Sequence, residues 1–191
     1  MRIERLVVAS KNPDKIAEIT KVLGESGLNI VLVDDLDWPD VEESGATLEE
    51  NALKKAREVF EATGMPSLAD DTGLFVDALG GLPGVNTARF AGPNATYDEN
   101  VVRLLEQLQG IQDRSASFRT VIALVGDAYE LVAEGVLKGQ IADAPRGNGG
   151  FGYDPVFELV NGRTLAELDL GEKNDVSHRA MALRRLFAEL D

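Results

Sequence analysis

Between Leu68 and Gly84 the chain reads Leu-Ala-Asp-Asp-Thr-Gly-Leu-Phe-Val-Asp-Ala-Leu-Gly-Gly-Leu-Pro-Gly, which sets two adjacent acids, Asp70 and Asp71, where an apolar run meets glycine-rich sequence. Neighbouring ionised carboxylates repel, and acids beside sharply bending backbone suit a bound hard cation or a shifted proton equilibrium. Asp and Gly are equally ordinary residues of a solvated turn at a strand end, so this segment alone supports both readings. A second group is Ser10-Lys11-Asn12-Pro13-Asp14-Lys15. The N–H groups of a turn at a helix start favour anions, and Lys15 could reach a phosphate; helix capping plus a solvated lysine is the plainer account. The spacing is not that of a Walker loop. A third group, Lys173 to Arg179, holds the only histidine and places His178 and Arg179 in the first turn of the last predicted helix. Cations there cost up to ~1 kcal/mol against the helix dipole unless something negative lies beside them, which suggests an anion site. Gly147 to Gly152 matches the letters G-x-G-x-x-G, yet it precedes strand-like sequence and Pro155, so no helix can receive a pyrophosphate. What remains is a loop carrying Phe151, Gly152, Tyr153 and Asp154. Its rings could stack on a planar ligand or fill a core.

The elements that must hold these residues are legible from caps and periodicity. Ile3 to Ala9 reads as a buried strand; Asn12 and Pro13 then open a helix running toward Gly24 or Gly27. Ile30 to Val33 is a short strand. Thr47 and Glu50 form a capping box for a helix with Leu48, Ala52, Ala56, Val59 and Phe60 on its apolar face, stopped by Gly64 and Pro66, and a strand leads into Asp70. Thr96 and Glu99 form a second capping box, with Val101, Leu104, Leu105 and Leu108 following before Gly110. Ser115 to Val125 and Tyr129 to Leu137, joined around Gly126-Asp127, predict a long hairpin, with a further strand near Phe151 to Phe157. The last helix starts near Ser177 and buries Leu183, Leu186, Phe187 and Leu190. Interleaved helices and strands followed by clustered strands predict an α/β fold: a mixed, bent central sheet flanked by helices, in two lobes with a cleft between them. No linker or repeat divides the 191 residues, which read as one domain over 1–191.

Composition narrows the function classes. With 19 basic against 33 acidic residues the net charge is −14, so nucleic acids and anionic membranes are repelled on average. A small anionic ligand is admissible only where basic residues or a divalent metal reverse the local potential. The absence of cysteine excludes disulfides, thiol catalysis and cysteine zinc sites. The apolar stretch Leu6 to Ala9 after a charged start is too short for a signal-peptide core or a membrane span, and the expected location is the cytoplasm.

Taken together, six islands resemble the inosine/xanthosine triphosphate pyrophosphatase family. They are Ser10-x-Asn12-x-x-Lys15; Glu42-Glu43-x-Gly45 leading into Glu50-Asn51-Ala52; Ala69 to Gly73; Leu79-Gly-Gly-x-Pro-Gly84; Phe151 to Phe157; and Glu172-Lys173-x-x-x-Ser177-His178-Arg179. They recur in order over nearly the whole chain. Lys11 stands where many members carry Gly, and Thr72 where many bacterial members carry Ser.

The resemblance implies Mg²⁺-dependent hydrolysis of a nucleoside triphosphate between its α and β phosphates, removing ITP, dITP and XTP from the nucleotide pool as monophosphate and pyrophosphate. A triphosphate repelled by an acidic protein needs a cation held by carboxylates, for which Glu43 and Asp71 are the candidates and Glu42 a weaker one. By the same resemblance Asp71 orients or deprotonates the attacking water and Asp70 supports the metal shell. Ser10, Lys11, Asn12 and Lys15, with the Thr72 hydroxyl, hold the phosphates. Phe151 stacks on the purine in the Gly152-Tyr153 loop, and Asp154, Lys173, His178 and Arg179 surround the base edge and the phosphates. A pocket built around the 6-keto acceptor of hypoxanthine or xanthine leaves groups unpaired when adenine enters. The family implies a homodimer. A nucleotide sensor without hydrolysis is the competing class, disfavoured by the intact acids. A glycosidase is disfavoured because adjacent Asp70 and Asp71 face opposite ways on a strand.

Overall fold

Caps set the helix boundaries. The computed structural model describes residues 3–26, 31–33 and 36–190; the predicted helix end at Gly27 and strand start at Ile30 lie outside them. Asn12 caps α1 (Pro13–Glu25), its side chain accepting from the Asp14 and Lys15 N–H groups. The Thr47–Glu50 box opens α2 (Leu48–Thr63), which Gly64 closes in the left-handed conformation. The Thr96–Glu99 box opens α3 (Tyr97–Gln107), and Ser177 caps α5 (His178–Ala188). A seven-residue helix, α4 (Leu170–Val176), was not foreseen.

The strands are β1 (Arg5–Val8), β2 (Val31–Val33), β3 (Ser67–Val76), β4 (Pro83–Gly84), β5 (Ser115–Gly126), β6 (Tyr129–Ile141) and β7 (Phe157–Glu158). They run in the order β2-β1-β3-β5-β6-β7, with β4 added to β3. β1 pairs in parallel with β2 (Leu6 opposite Leu32) and with β3 (Val7 opposite Ser67), whereas β3–β4 and β6–β7 are antiparallel, so the sheet is mixed as expected. β5 and β6 are neighbours joined through Asp127-Ala128, the predicted hairpin, and β6 continues four residues beyond Leu137 to Ile141.

Two expectations are corrected. The strand predicted to end at Asp70 continues to Val76, placing Asp70 and Asp71 mid-strand rather than in a turn. Leu74 and Val76 are fully buried, and their apolar burial carries the extended chain past the acids. The strand predicted at Phe151 to Phe157 is instead a run of turns, with only Phe157–Glu158 paired. Gly152, inside that stretch, has positive φ, which strand geometry does not tolerate, and Gly147 and Gly150 bend the chain just before it in the same way. At Gly150 a Cβ would also lie 2.0 Å from Asp154 Oδ2.

The chain divides into two compact units, one of residues 1–71, 120–135 and 177–191, the other of 72–119 and 136–176. In the first, Ile19, Val22 and Leu23 of α1 and Leu183, Leu186 and Phe187 of α5 pack with Leu6, Leu68, Ile122 and Leu124 from the strands. In the second, Leu74, Leu104, Leu108, Ile141 and Leu165 are buried, and the rings of Phe118 and Phe157 meet at 4.7 Å. Among the described residues no helix is long and apolar enough to cross a membrane.

Candidate active site

In the first unit α2 and β3 bring the acids and a lysine together. Alternation on β3 sends Asp70 and Asp71 to opposite faces, and both are buried. Asp71 Oδ2 accepts a hydrogen bond from Asn51 Nδ2 at 3.0 Å, while Asn51 Oδ1 accepts the Gly45 N–H at 2.7 Å. That second bond fixes which end of the amide faces Asp71. Lys55, one turn further along α2, hydrogen-bonds Glu43 Oε1, donates to the Asp70 carbonyl at 2.6 Å and lies 3.7 Å from Asp71 Oδ1. One ammonium therefore faces both Glu43 and Asp71. Burial disfavours its charge, but Asp70, Asp71 and Glu43 outweigh that and raise Lys55 above the usual lysine range. Asp71 is pushed above the ordinary aspartate range, first by burial and then by Glu43, with Lys55 and Asn51 opposing. Glu42, the weaker ligand candidate, is exposed; Lys54 Nζ donates to its backbone carbonyl.

Asp70 is the counterpart on the other face. Its Oδ2 receives Arg179 Nη2 at 3.0 Å and Nε at 3.1 Å and lies 3.1 Å from Lys15 Nζ. Despite burial, Lys15, Arg179 and Lys55 hold this carboxyl far below the usual range. Arg179 also pairs through Nη1 with Glu18 of α1 and is 2% exposed. The dipole argument for a bound anion beside Arg179 is thereby answered differently: Asp70 and Glu18 supply the negative charge. Ser10 Oγ accepts the Asn12 N–H at 3.2 Å, completing the turn before α1. Lys11 points elsewhere, pairing at 2.5 Å with exposed Asp40. Buried His178 shares a 2.6 Å hydrogen bond through Nδ1 with Thr120 Oγ1 of β5.

The second unit holds the ring-bearing group. Buried Lys173 of α4 meets Asp154 Oδ2 at 2.5 Å, and its ammonium lies 4.7 Å from the centroid of the Phe151 ring. Asp154 Oδ2 also accepts the Phe151 N–H at 2.8 Å, so one carboxylate fixes both the lysine and the ring. Tyr97 flanks Phe151 at 6.0 Å between ring centroids. Gly152 continues this turn with φ 63°. Tyr153 turns inward: its ring is buried, its hydroxyl donates to the Thr87 carbonyl at 3.0 Å, and burial raises its ionisation well beyond the usual tyrosine value. Thr72 follows Asp71 on β3 and is half-buried.

Residues 6–189 match the model of the Ham1 family. The chain belongs to the Ham1 family. A dITP/XTP pyrophosphatase of Thermoanaerobacter sp. (strain X514) is 50% identical over 186 residues, covering 95% of this chain and 94% of that protein. One of Geobacter sulfurreducens is 49% identical over 189 residues, with 95% and 94% coverage. Among solved structures, a HAM1 protein from Coxiella burnetii superposes with a TM-score of 0.88 at 45% identity, covering 98% of each chain. The Staphylococcus aureus Ham1 protein gives 0.85 at 38% identity, again covering 98% of each chain.

Within this Ham1 chain the sequence reading gave no role to Lys55 or Asn51. A signal was present: Leu48, Asn51, Lys55 and Val59 share one face of α2 at i, i+3, i+7 and i+11, so two polar residues interrupt an apolar stripe. Glu18, buried on α1 beside Ile19 and Val22, was missed for the same reason.

Proposed function

We propose that this Ham1 protein hydrolyses deaminated purine nucleoside triphosphates, dITP, ITP and XTP, to the monophosphate and pyrophosphate, with Mg²⁺ as cofactor. The observation that carries the reading is the Glu43–Lys55–Asp71–Asn51 arrangement: two oxygen-donor acids directed at one half-buried ammonium, one of them anchored by an oriented amide. Among the described residues no group of three or more His, Cys, Asp or Glu is placed to hold a metal ion. Mg²⁺ needs none, because it is commonly bound through one or two carboxylates and completes its shell with phosphate oxygens and water. Glu43 and Asp71 fit that requirement and would hold it. When bound, the ion neutralises phosphate charge and lowers the cost of an anionic leaving group.

The chain's own residues do the rest. Asp71 orients the attacking water and takes its proton. The water oxygen bonds to the α-phosphorus, the bond from that phosphorus to the α–β bridging oxygen breaks, and the electron pair leaves on that oxygen as part of the departing pyrophosphate. Asn51 fixes the carboxylate plane during this transfer. Lys15, with the Ser10–Asn12 turn at the start of α1, faces the phosphate tail. Phe151, held by Asp154 beneath the Lys173 ammonium, offers a ring face to the purine. A donor from Lys173, beside the Phe151 ring, suits a 6-keto oxygen, whereas adenine presents an amine there. A homodimer and a cytoplasmic location complete the proposal; light scattering on the purified protein tests the former.

The test is incubation with ITP, dITP, XTP, ATP and GTP plus Mg²⁺, separating pyrophosphate from orthophosphate. Equimolar monophosphate and pyrophosphate from the first three, with ATP poorly used, is expected. Orthophosphate release refutes cleavage at the α–β bond, and retention of unchanged nucleotide favours the sensor class.

A further inference from the structure

A ring that is to stack on a planar ligand must keep one direction before the ligand arrives, and the backbone of Phe151 does not dictate that direction by itself. The residue lies in a turn between Gly150 (φ 67°) and Gly152 (φ 63°) and is only half-buried. The Asp154 carboxylate holds its N–H at 2.8 Å, and the Lys173 ammonium lies over the ring, 4.7 Å from the centroid. A third contact comes from Tyr97, whose ring centroid is 6.0 Å away at an interplanar angle of 42°. That spacing falls within the range of about 4.5–7 Å in which tilted aromatic pairs attract. Tyr97 has the firmer stem. It opens α3 directly after Thr96, whose hydroxyl accepts the Glu99 N–H at 3.2 Å while Glu99 Oε2 accepts the Thr96 N–H at 2.7 Å. One turn on, buried Asn100 ties the helix to the preceding segment, accepting the Ala91 N–H at 2.8 Å and donating to the Ala88 carbonyl at 2.9 Å. The tyrosine ring itself stays 44% exposed, so core packing is not what it supplies.

The geometry decides between two roles for this ring. A base sandwiched between two rings needs near-parallel planes and about 3.5 Å on each side, roughly 7 Å in all. At 6.0 Å and 42° no base fits between Tyr97 and Phe151, so Tyr97 acts on the Phe151 ring and not as the opposite face of a sandwich. We infer that Tyr97 is a positioning residue for base stacking: anchored on α3, it holds the Phe151 ring in the orientation that receives a purine. The ligand class rests on the proposed nucleotide reading; the ring–ring contact does not. A device of this kind serves the base and leaves the phosphate end of a nucleotide untouched.

The test compares Tyr97→Ala with Tyr97→Phe, which keeps the ring. Tyr97→Ala is expected to raise the KM for ITP about fivefold with kcat unchanged, and Tyr97→Phe to restore the wild-type KM. Inorganic tripolyphosphate, which carries phosphates but no base, is the control: its inhibition constant is expected to be the same in all three proteins. In a Phe151→Leu background Tyr97→Ala is expected to add nothing, because the ring it holds is gone. An unchanged KM in Tyr97→Ala, a fall in kcat, an equal loss of tripolyphosphate binding, or a full effect in the Phe151→Leu background overturns the inference. NMR of protein carrying ¹³C-labelled phenylalanine rings reads the contact without turnover. The Phe151 signal, identified by its loss in Phe151→Leu, is expected to shift in Tyr97→Ala and to stay near its wild-type position in Tyr97→Phe; a signal unmoved in Tyr97→Ala refutes the support. Should the wild-type protein hydrolyse no triphosphate, the nucleotide reading fails, while the Phe151 signal still decides whether Tyr97 holds the ring.

Discussion

Replacing each of the two adjacent aspartates by asparagine is expected to have opposite consequences. Asp70 is an anchor: its side chain is 1% exposed and its Oδ2 meets Arg179 and Lys15. Asp70→Asn keeps the shape but removes the charge, leaving two cations short of their shared anion. Breaking a buried pair costs about 3–5 kcal/mol, and since Glu18 still faces Arg179 the lower end applies. For a chain of this size ~3 kcal/mol corresponds to roughly 6–12 °C in Tm. Asp71 is different, because burial and Glu43 both oppose its ionised form. Asp71→Asn is expected to melt at or above the wild-type temperature while losing turnover.

Linkage separates the two further. The depressed Asp70 carboxyl contributes stability that is present above the unfolded aspartate range and is lost as pH falls through its folded value, so the penalty of Asp70→Asn shrinks on acidification. The raised Asp71 carboxyl contributes stability below the unfolded range that is lost as pH rises through its folded value, so the advantage of Asp71→Asn grows toward neutral pH. Denaturant titrations of both variants from acid to neutral pH read these slopes. Equal destabilisation by the two substitutions refutes the division of roles.

Three other outcomes follow from the same contacts. Lys55→Met removes the cation that lowers the Asp71 carboxyl, so the acid limb of the kcat/KM profile is expected to move to higher pH; an unmoved limb contradicts the pairing. Lys173→Met strands buried Asp154 and is expected to cost about 3–5 kcal/mol in chemical denaturation, with Asp154→Asn in the same chain restoring at least ~1 kcal/mol of it. Gly135→Ala is expected to destabilise by ~3 kcal/mol or more because backbone atoms of α5 fill the space, whereas Gly24→Ala, with nothing within 4 Å, is expected to be neutral or to gain ~0.5–1 kcal/mol in urea.

What the sequence disclosed was local. The Asn12, Thr47 and Thr96 caps are decided by side chains within three residues of the backbone they bond, and all three stand where they were read; the last helix starts after Ser177, as expected. The continuation of β3 was hidden because Asp-Asp-Thr-Gly carries turn chemistry, and only the burial of Leu74 and Val76 outweighs it. The Phe151 turn was misread as a strand because the aromatic signal masked Gly152, which needs positive φ. Within the candidate site, the acids and cations were visible as residue types, but their pairing was not. Arg179 reaches Asp70 across 109 residues and Glu18 across 161, separations at which sequence pattern carries no information about contact. The same holds for Thr120 and His178, 58 residues apart.

The account turns on whether Glu43 and Asp71 capture a divalent ion together with the nucleotide. Calorimetric titration of Mg²⁺ into the protein saturated with a non-hydrolysable α,β-imido inosine triphosphate tests this directly. Binding is expected in the wild type and in Glu42→Gln, and is expected to be lost in Glu43→Gln and in Asp71→Asn. Equal Mg²⁺ binding by all four proteins would contradict the account.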